Sequence, residues 1–175
     1  MSIKNLIRTI PDYPKTGVQF RDITSLLEDA KGLRIAVEGL AEPFRGDRVD
    51  MVAGIEARGF LFGVAVALEL NAGFVPVRKS GKLPGPVVGR EYDLEYGTDR
   101  VEVHADAFQP GERVLIVDDL IATGGTVDAT IRLIDNIGAK IVGCAFVIDL
   151  PDLGGSKRIQ EHGFPVKSLC YFEGE

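Results

Sequence analysis

The sequence predicts an α/β fold built on a central, mostly parallel sheet flanked by helices. Three observations carry this. Short continuous apolar runs, such as Val114-Leu115-Ile116-Val117, suit strands buried on both faces. Such runs alternate with stretches of helical spacing, of which Val127, Ile131, Ile134 and Ile137 are one. Short connections between them imply right-handed parallel crossovers. The 175 residues suffice for one core and are few for two, so a single domain over 1–175 is expected.

In chain order, Ile3, Leu6, Ile7 and Ile10 have helical spacing and predict a short amphipathic helix ended by Pro11. Pro11 to Asp22 reads as an irregular connector in which Phe20 tucks into the core. A helix is expected over roughly 30–44, with Leu33, Val37 and Leu40 on one face. Val49 to Ile55 is the first strong strand, running into Glu56-Ala57-Arg58-Gly59 and a helix over about 60–70. Gly63, Ala65 and Ala67 would let that helix pack tightly on the sheet. Gly73 to Val77 is the next strand. Arg78 to Pro86 is basic, rich in Gly and Pro, and reads as a mobile loop. Tyr92, Leu94 and Tyr96 alternate with charged residues, and Val101 and Val103 follow the turn at 97–99, which predicts an antiparallel ribbon. A ribbon inserted between parallel strands suits a flap over a site better than a connector. After the central strand and its helix come a strand from Lys140 to Ile148, a loop over 149–155, a short helix over about 156–162 and a last strand from Val166 to Tyr171.

Several chemistries are excluded. The P-loop, dinucleotide, nucleophile-elbow and zinc-protease motifs are all missing. His104 and His162 read as surface residues. A net charge of −6 argues against a general nucleic-acid binder while leaving room for a local basic patch, and no apolar run is long enough to span a membrane. The first residues lack the apolar core of a signal peptide, and Cys144 and Cys170 have no metal-ligand spacing. Reduced thiols and a cytoplasmic location are expected.

The chemistry lies in Asp118-Asp119 and the small-residue loop Ala122-Thr123-Gly124-Gly125-Thr126. A loop between a strand and a helix N-terminus turns backbone N–H groups toward an anion, and the helix dipole adds to the attraction. Two carboxylates there would repel a phosphate unless they serve another group. Vicinal hydroxyls are the natural partner, so the pattern points to a ribose 5-phosphate.

That run resembles the phosphoribosyl-diphosphate motif of the type I phosphoribosyltransferases. Gly17 to Ile23, Glu56 to Gly63, Arg78 to Gly85 and Leu94 to Gly97 narrow the resemblance to the adenine phosphoribosyltransferases, in that family's order and over nearly the whole chain. The resemblance implies the three-layer type I phosphoribosyltransferase fold. It implies a small hood for base recognition over residues 1–28 and a flexible loop and β-ribbon flap over 79–106. It also implies the reaction of adenine with 5-phosphoribosyl 1-diphosphate, giving AMP and diphosphate with magnesium.

The same resemblance assigns roles. Ala122, Thr123, Gly124, Gly125 and Thr126 hold the 5-phosphate, while Asp118 and Asp119 accept from the ribose hydroxyls and stabilise an oxocarbenium-like sugar. Arg58, Arg78, Lys79 and Lys82 bind the pyrophosphate, and the family has a cis peptide in the turn at Arg58, which is expected within Ala57-Arg58-Gly59. Phe20 stacks on one face of adenine and Leu150 covers the other, with the backbone of Gln19 and Arg21 reading the amino edge. Gln19 departs from the family, which often has an apolar residue there. Glu95 resembles the family's acid/base, and Tyr96 closes with the flap. No protein cluster for a permanent metal is visible, so magnesium is expected to arrive on the substrate. A homodimer is the family expectation, with no nucleic-acid or membrane partner. Read alone, the Arg78–Lys82 loop is a solvated surface and Glu95 an exposed strand residue. A phosphoribosyltransferase for another base and a non-catalytic nucleic-acid-binding regulator are the alternative readings.

Overall fold

The computed structural model describes residues 2–174. The chain opens with one 3-10 turn, Ile3–Leu6, followed by strand β1 (Arg8–Pro11). β1 pairs antiparallel with β2 (Gln19–Asp22), Ile10 lying opposite Phe20. The helix expected from Ile3 to Ile10 therefore does not form, and the connector before Asp22 ends in a strand. Tertiary contacts explain the difference. Ile7 is buried in the core and the Arg8 amide donates to Ser25 Oγ at 3.1 Å. An apolar spacing barely two turns long cannot outweigh them, because so short a helix is unstable alone.

Helix α1 (Thr24–Glu28) is too short for periodicity to reveal. α2 (Ala30–Ala41) starts on Asp29, whose carboxylate accepts from the Gly32 amide at 2.6 Å. Then come β3 (Met51–Ile55), α3 (Arg58–Glu69), β4 (Gly73–Lys79), β5 (Val87–Asp93), β6 (Thr98–His104) and β7 (Arg113–Ile121). α4 (Gly125–Ile137), β8 (Lys140–Asp149), α5 (Gly155–Glu161) and β9 (Val166–Tyr171) complete the chain.

Seven strands form one sheet in the order β5-β6-β4-β3-β7-β8-β9. The neighbours from β4 to β9 are parallel, while β5 and β6 form an antiparallel hairpin beside β4. β6 meets β4 only at Arg78 and Lys79. These two residues are thus strand residues, and the loop expected from Arg78 begins at Ser80.

The central strands are apolar on both faces because each face carries a helical layer. Leu115 and Val117 of β7 pack in one cluster with Val37 and Leu40 of α2 and Phe62 and Val66 of α3. Val114 and Ile116, one residue out of phase, pack in the other with Val127, Ile131 and Ile134 of α4 and Ile159 of α5. From β3 the chain turns to β4 on one side and later returns as β7 on the other. The C-terminal ends of β3 and β7 therefore flank a topological switch point, the usual ligand crevice of an open α/β sheet. Among the described residues no helix is long and apolar enough to cross a membrane.

Candidate active site

Asp118 and Asp119 stand at that switch point. The pairing of β7 with β3 stops at Val117, whereas its pairing with β8 continues to Ile121. The aspartates are therefore still strand residues, not the strand's exit, and alternation sends their carboxylates to opposite faces. Asp118 Oδ1 accepts from the Asp119 amide at 2.8 Å. The first turn of α3 stands over it, since a Cβ on Gly59 would lie 2.8 Å from the same oxygen. Burial, and then the charge of Asp119, push the Asp118 carboxyl well above the usual carboxylate range. A carboxyl raised in this way opposes folding at pH values above its folded pKa, and the opposition fades as pH falls through that pKa to the ordinary carboxylate value. Asp118→Asn keeps an acceptor for the Asp119 amide and removes the charge. It is expected to raise the melting temperature by about 2–4 °C per ~1 kcal/mol relieved, read by calorimetry at neutral pH. An unchanged or lower melting temperature refutes this.

Asp119 is 4% exposed and faces the other way. Its Oδ2 accepts from Arg58 Nε at 2.5 Å. Arg58 opens α3, after a turn whose Glu56–Ala57 peptide is cis, and its side chain is 55% exposed. A half-exposed cation thus sits on a buried carboxylate. Burial lowers the Arg58 pKa, but the bond to Asp119 together with the charges of Asp119, Asp118 and Asp22 more than offsets this and the net shift is upward.

Beyond Ile121 the segment from Ala122 to Thr126 wraps a cavity of about 130 Å³ that Asp118 also lines. Its shape depends on Gly124, at φ +82°. A Cβ there would meet Gly155 Cα at 3.1 Å and its carbonyl oxygen at 3.2 Å. The approach is reciprocal, because a Cβ on Gly155 would lie 2.4 Å from the Ala122 oxygen and 2.8 Å from the Gly124 nitrogen. The Gly155 amide donates to the Ala122 carbonyl at 2.9 Å. Gly155 therefore shapes the loop from behind. Sequence reasoning gave it no role, although the pair Gly154-Gly155 after Leu153 was a visible signal. The N-terminus of α4 opens onto this cavity with its first amides unpaired by helix geometry.

The other cationic residues are divided. Arg78 Nε donates to Glu56 Oε1 at 2.9 Å, and the Lys79 amide donates to the same oxygen at 3.3 Å. Glu56 is thus the anchor of the β4 end, a function missed because it lay in a motif read for its arginine. Lys79 Nζ bonds to Asp99 and Tyr92 of the ribbon. The structure brings Lys79 to the ribbon, not to Asp118 and Asp119. Lys82 is exposed, and its carbonyl accepts from Arg78 Nη1 at 3.4 Å. Glu95 and Tyr96 lie in the ribbon's turn; both are exposed, Tyr96 at 85%. The structure does not bring Glu95 to the aspartates. The ribbon nonetheless reaches α4, where a Cβ on Gly125 would lie 3.8 Å from Tyr92.

The hood carries Gln19, Phe20 and Arg21 on β2, all half-buried. Phe20 meets Tyr13 edge to face, with centroids 5.2 Å apart. The Arg21 guanidinium lies 4.3 Å from the centre of the Phe172 ring and donates from Nη1 to Thr9 Oγ1 at 2.6 Å. Leu150 packs against the first core cluster, and its amide donates to the Ile121 carbonyl at 3.1 Å. Among the described residues no three acidic, histidine or cysteine side chains gather as a metal site.

A family profile described as a phosphoribosyl transferase domain matches residues 24–164. An adenine phosphoribosyltransferase of Methylobacillus flagellatus is 61% identical over 173 residues, 99% of this chain and 98% of that protein. The crystal structure of adenine phosphoribosyltransferase from Rhodothermus marinus superposes with a TM-score of 0.92 at 52% identity, covering 97% of this chain and 96% of the other. The Saccharomyces cerevisiae enzyme, solved with an imino-altritol bisphosphate and adenine, gives 0.89 at 36% identity, covering 96% of each chain. Sequence and backbone agree along almost the full length, and the chain belongs to the adenine phosphoribosyltransferase family of phosphoribosyltransferases.

Proposed function

We propose that the chain transfers the phosphoribosyl group of 5-phosphoribosyl 1-diphosphate to N9 of adenine, releasing AMP and diphosphate. The observation that carries this is the aspartate pair at the switch point beside the glycine-shaped loop. It sets hydroxyl acceptors beside an anion cradle that Asp118 itself lines. The C1–oxygen bond to diphosphate breaks, the bond from N9 forms, and the sugar between them is oxocarbenium-like. Asp118 and Asp119 accept from the ribose hydroxyls and stabilise its developing positive charge. The amides of Ala122 to Gly125 and the hydroxyls of Thr123 and Thr126 hold the 5-phosphate.

Arg58 leaves Asp119 when the ribose arrives and turns to the pyrophosphate, for which its exposure leaves room. Arg78 and Lys82 add cationic contacts. Lys79 joins them by exchanging Asp99 for pyrophosphate as the ribbon closes. The substrate is the magnesium complex of the diphosphate, and magnesium neutralises the leaving oxygens. Phe20 and Leu150 enclose adenine. The Gln19 carbonyl accepts from its 6-amino group and the Arg21 amide donates to N1. A 6-oxo purine reverses both polarities, leaving groups unpaired at about 1–3 kcal/mol each. Glu95 takes part in proton transfer near N7, and Tyr96 covers the ribose, when the ribbon folds over the site.

The test is incubation with adenine, 5-phosphoribosyl 1-diphosphate and magnesium, with AMP as the expected product. Turnover of hypoxanthine or guanine in place of adenine would overturn the base assignment.

A homodimer is part of this reading. Leu61, Val64 and Leu68 lie three and seven residues apart on α3 and are 52%, 45% and 78% exposed. Such a stripe, on the helix that begins at Arg58, supports an interface next to the site. Leu68→Asp is expected to convert a sedimenting dimer into a monomer, and a wild-type monomer would sink the idea. We assign the protein to the cytoplasm, where its two unpaired cysteines would stay reduced. Burial pushes the Cys144 thiol up to about 12 and that of Cys170 to about 11.

A further inference from the structure

We propose that Asp128 is a positioning residue for the 5-phosphate, acting by pinning α5 against the back of the phosphate loop. The inference rests on the phosphate-loop reading above. Asp128 lies in the first turn of α4 and is 7% exposed. A bare carboxylate there would repel a phosphate bound at the same helix end. It is not bare. Its Oδ2 accepts from Arg132 Nε at 3.0 Å on its own helix and from Arg158 Nη2 at 3.0 Å on α5. His162, just after α5, places Nδ1 3.3 Å from Oδ1.

Asp128 therefore gathers one hydrogen-bond partner from α4 and one from α5, while Oδ1 beside His162 accepts no hydrogen bond. α5 is seven residues long, too short to be stable alone, and is held by Ile159 in the core and by the Arg158–Asp128 bond to α4. Its first residue is Gly155, whose amide bonds the Ala122 carbonyl and whose Cα lies in the tight approach to Gly124. A shift of α5 moves Gly155, and with it the loop that presents its amides to the phosphate. The line from Asp128 through Arg158 to Gly155 and Ala122 uses no residue of the base or ribose site.

Two effects of Asp128→Asn oppose each other, and their sign separates them. Loss of negative charge leaves Arg132 and Arg158 in excess, which would tighten anion binding. Loss of the pin loosens the loop, which weakens it. A charge-assisted bond to a buried carboxylate is the stronger influence here, because the two arginines are about half exposed and screened by water. Asp128→Asn is expected to raise KM for 5-phosphoribosyl 1-diphosphate about tenfold. KM for adenine and kcat should stay within about twofold. AMP affinity should fall by a similar factor while adenosine affinity holds, and Asp128→Glu should restore part of the loss. Arg158→Gln, on a half-exposed site, reads the same tie if the first variant does not fold. Unchanged or tighter AMP binding in either folded variant overturns the proposal. If the wild-type protein binds AMP no better than adenosine, the phosphate-loop reading itself fails, which is a separate outcome.

Discussion

Exchanging Asp119 for asparagine is expected to lower kcat by about a hundred- to a thousandfold, the range for losing one aligned electrostatic contact in a transition state. The fold should survive. Asparagine has the same shape, keeps one acceptor for a ribose hydroxyl, and leaves Arg58 half in water, where loss of its partner is tolerable. What it lacks is charge. In the ground state the hydroxyls need only acceptors, so KM for the sugar substrate should rise modestly. In the transition state the ribose carries positive charge, and only a carboxylate answers it. Asp119 is nearly buried, so water screens that attraction little. Steady-state kinetics separate the two effects. A kcat within twofold of wild type would remove charge stabilisation by this residue from the mechanism.

Gly124→Val should weaken AMP binding about a hundredfold while leaving adenosine binding unchanged, measured by titration calorimetry. The sequence alone puts the reason at the ligand, as a side chain blocking the approach of phosphate. The structure puts it behind the loop. A β-branched residue at φ +82° is strained by roughly 1–3 kcal/mol, and its Cβ would press on the backbone of Gly155. Backbone there has no rotamer to yield, so the loop must shift and its amides lose their common focus. Gly155→Ala should act in the same way, since its Cβ would collide with the Ala122 oxygen. Full AMP affinity in Gly124→Val would move the cradle elsewhere.

What the sequence revealed follows from where each signal resides. The apolar run from Val114 to Val117, the aspartates and the loop to Thr126 are contiguous, so strand, carboxylates and helix start are legible in one reading. The two-sided burial of β7 was equally plain, because a run with no polar alternation has no solvent face. The β1–β2 hairpin was not legible. Its strands are four residues each, and Ile7 to Ile10 carries a helical spacing that tertiary contacts overrule. The supports of the site were hidden for a related reason. Glu56 beneath Arg78, Asp99 beside Lys79, and Gly155 behind Gly124 are partners across long sequence separations, and no local pattern links them. Local chemistry names the groups that would touch a ligand, whereas the groups that hold them still emerge only from the folded chain.

Under the proposed function, the crowding around Asp118 sets thermal stability against catalysis. Its carboxyl sits under Gly59 and beside another aspartate, an arrangement no search for robustness would choose. A screen that ranked variants of this chain by heat resistance would therefore collect neutral residues at position 118 early, and the surviving library would be durable and inert. A screen that ranked them by product would keep the aspartate and recover its losses in the apolar layers. The two selections part company at a single carboxyl group, and mixed screening would have to hold that position fixed while the rest of the chain was allowed to vary.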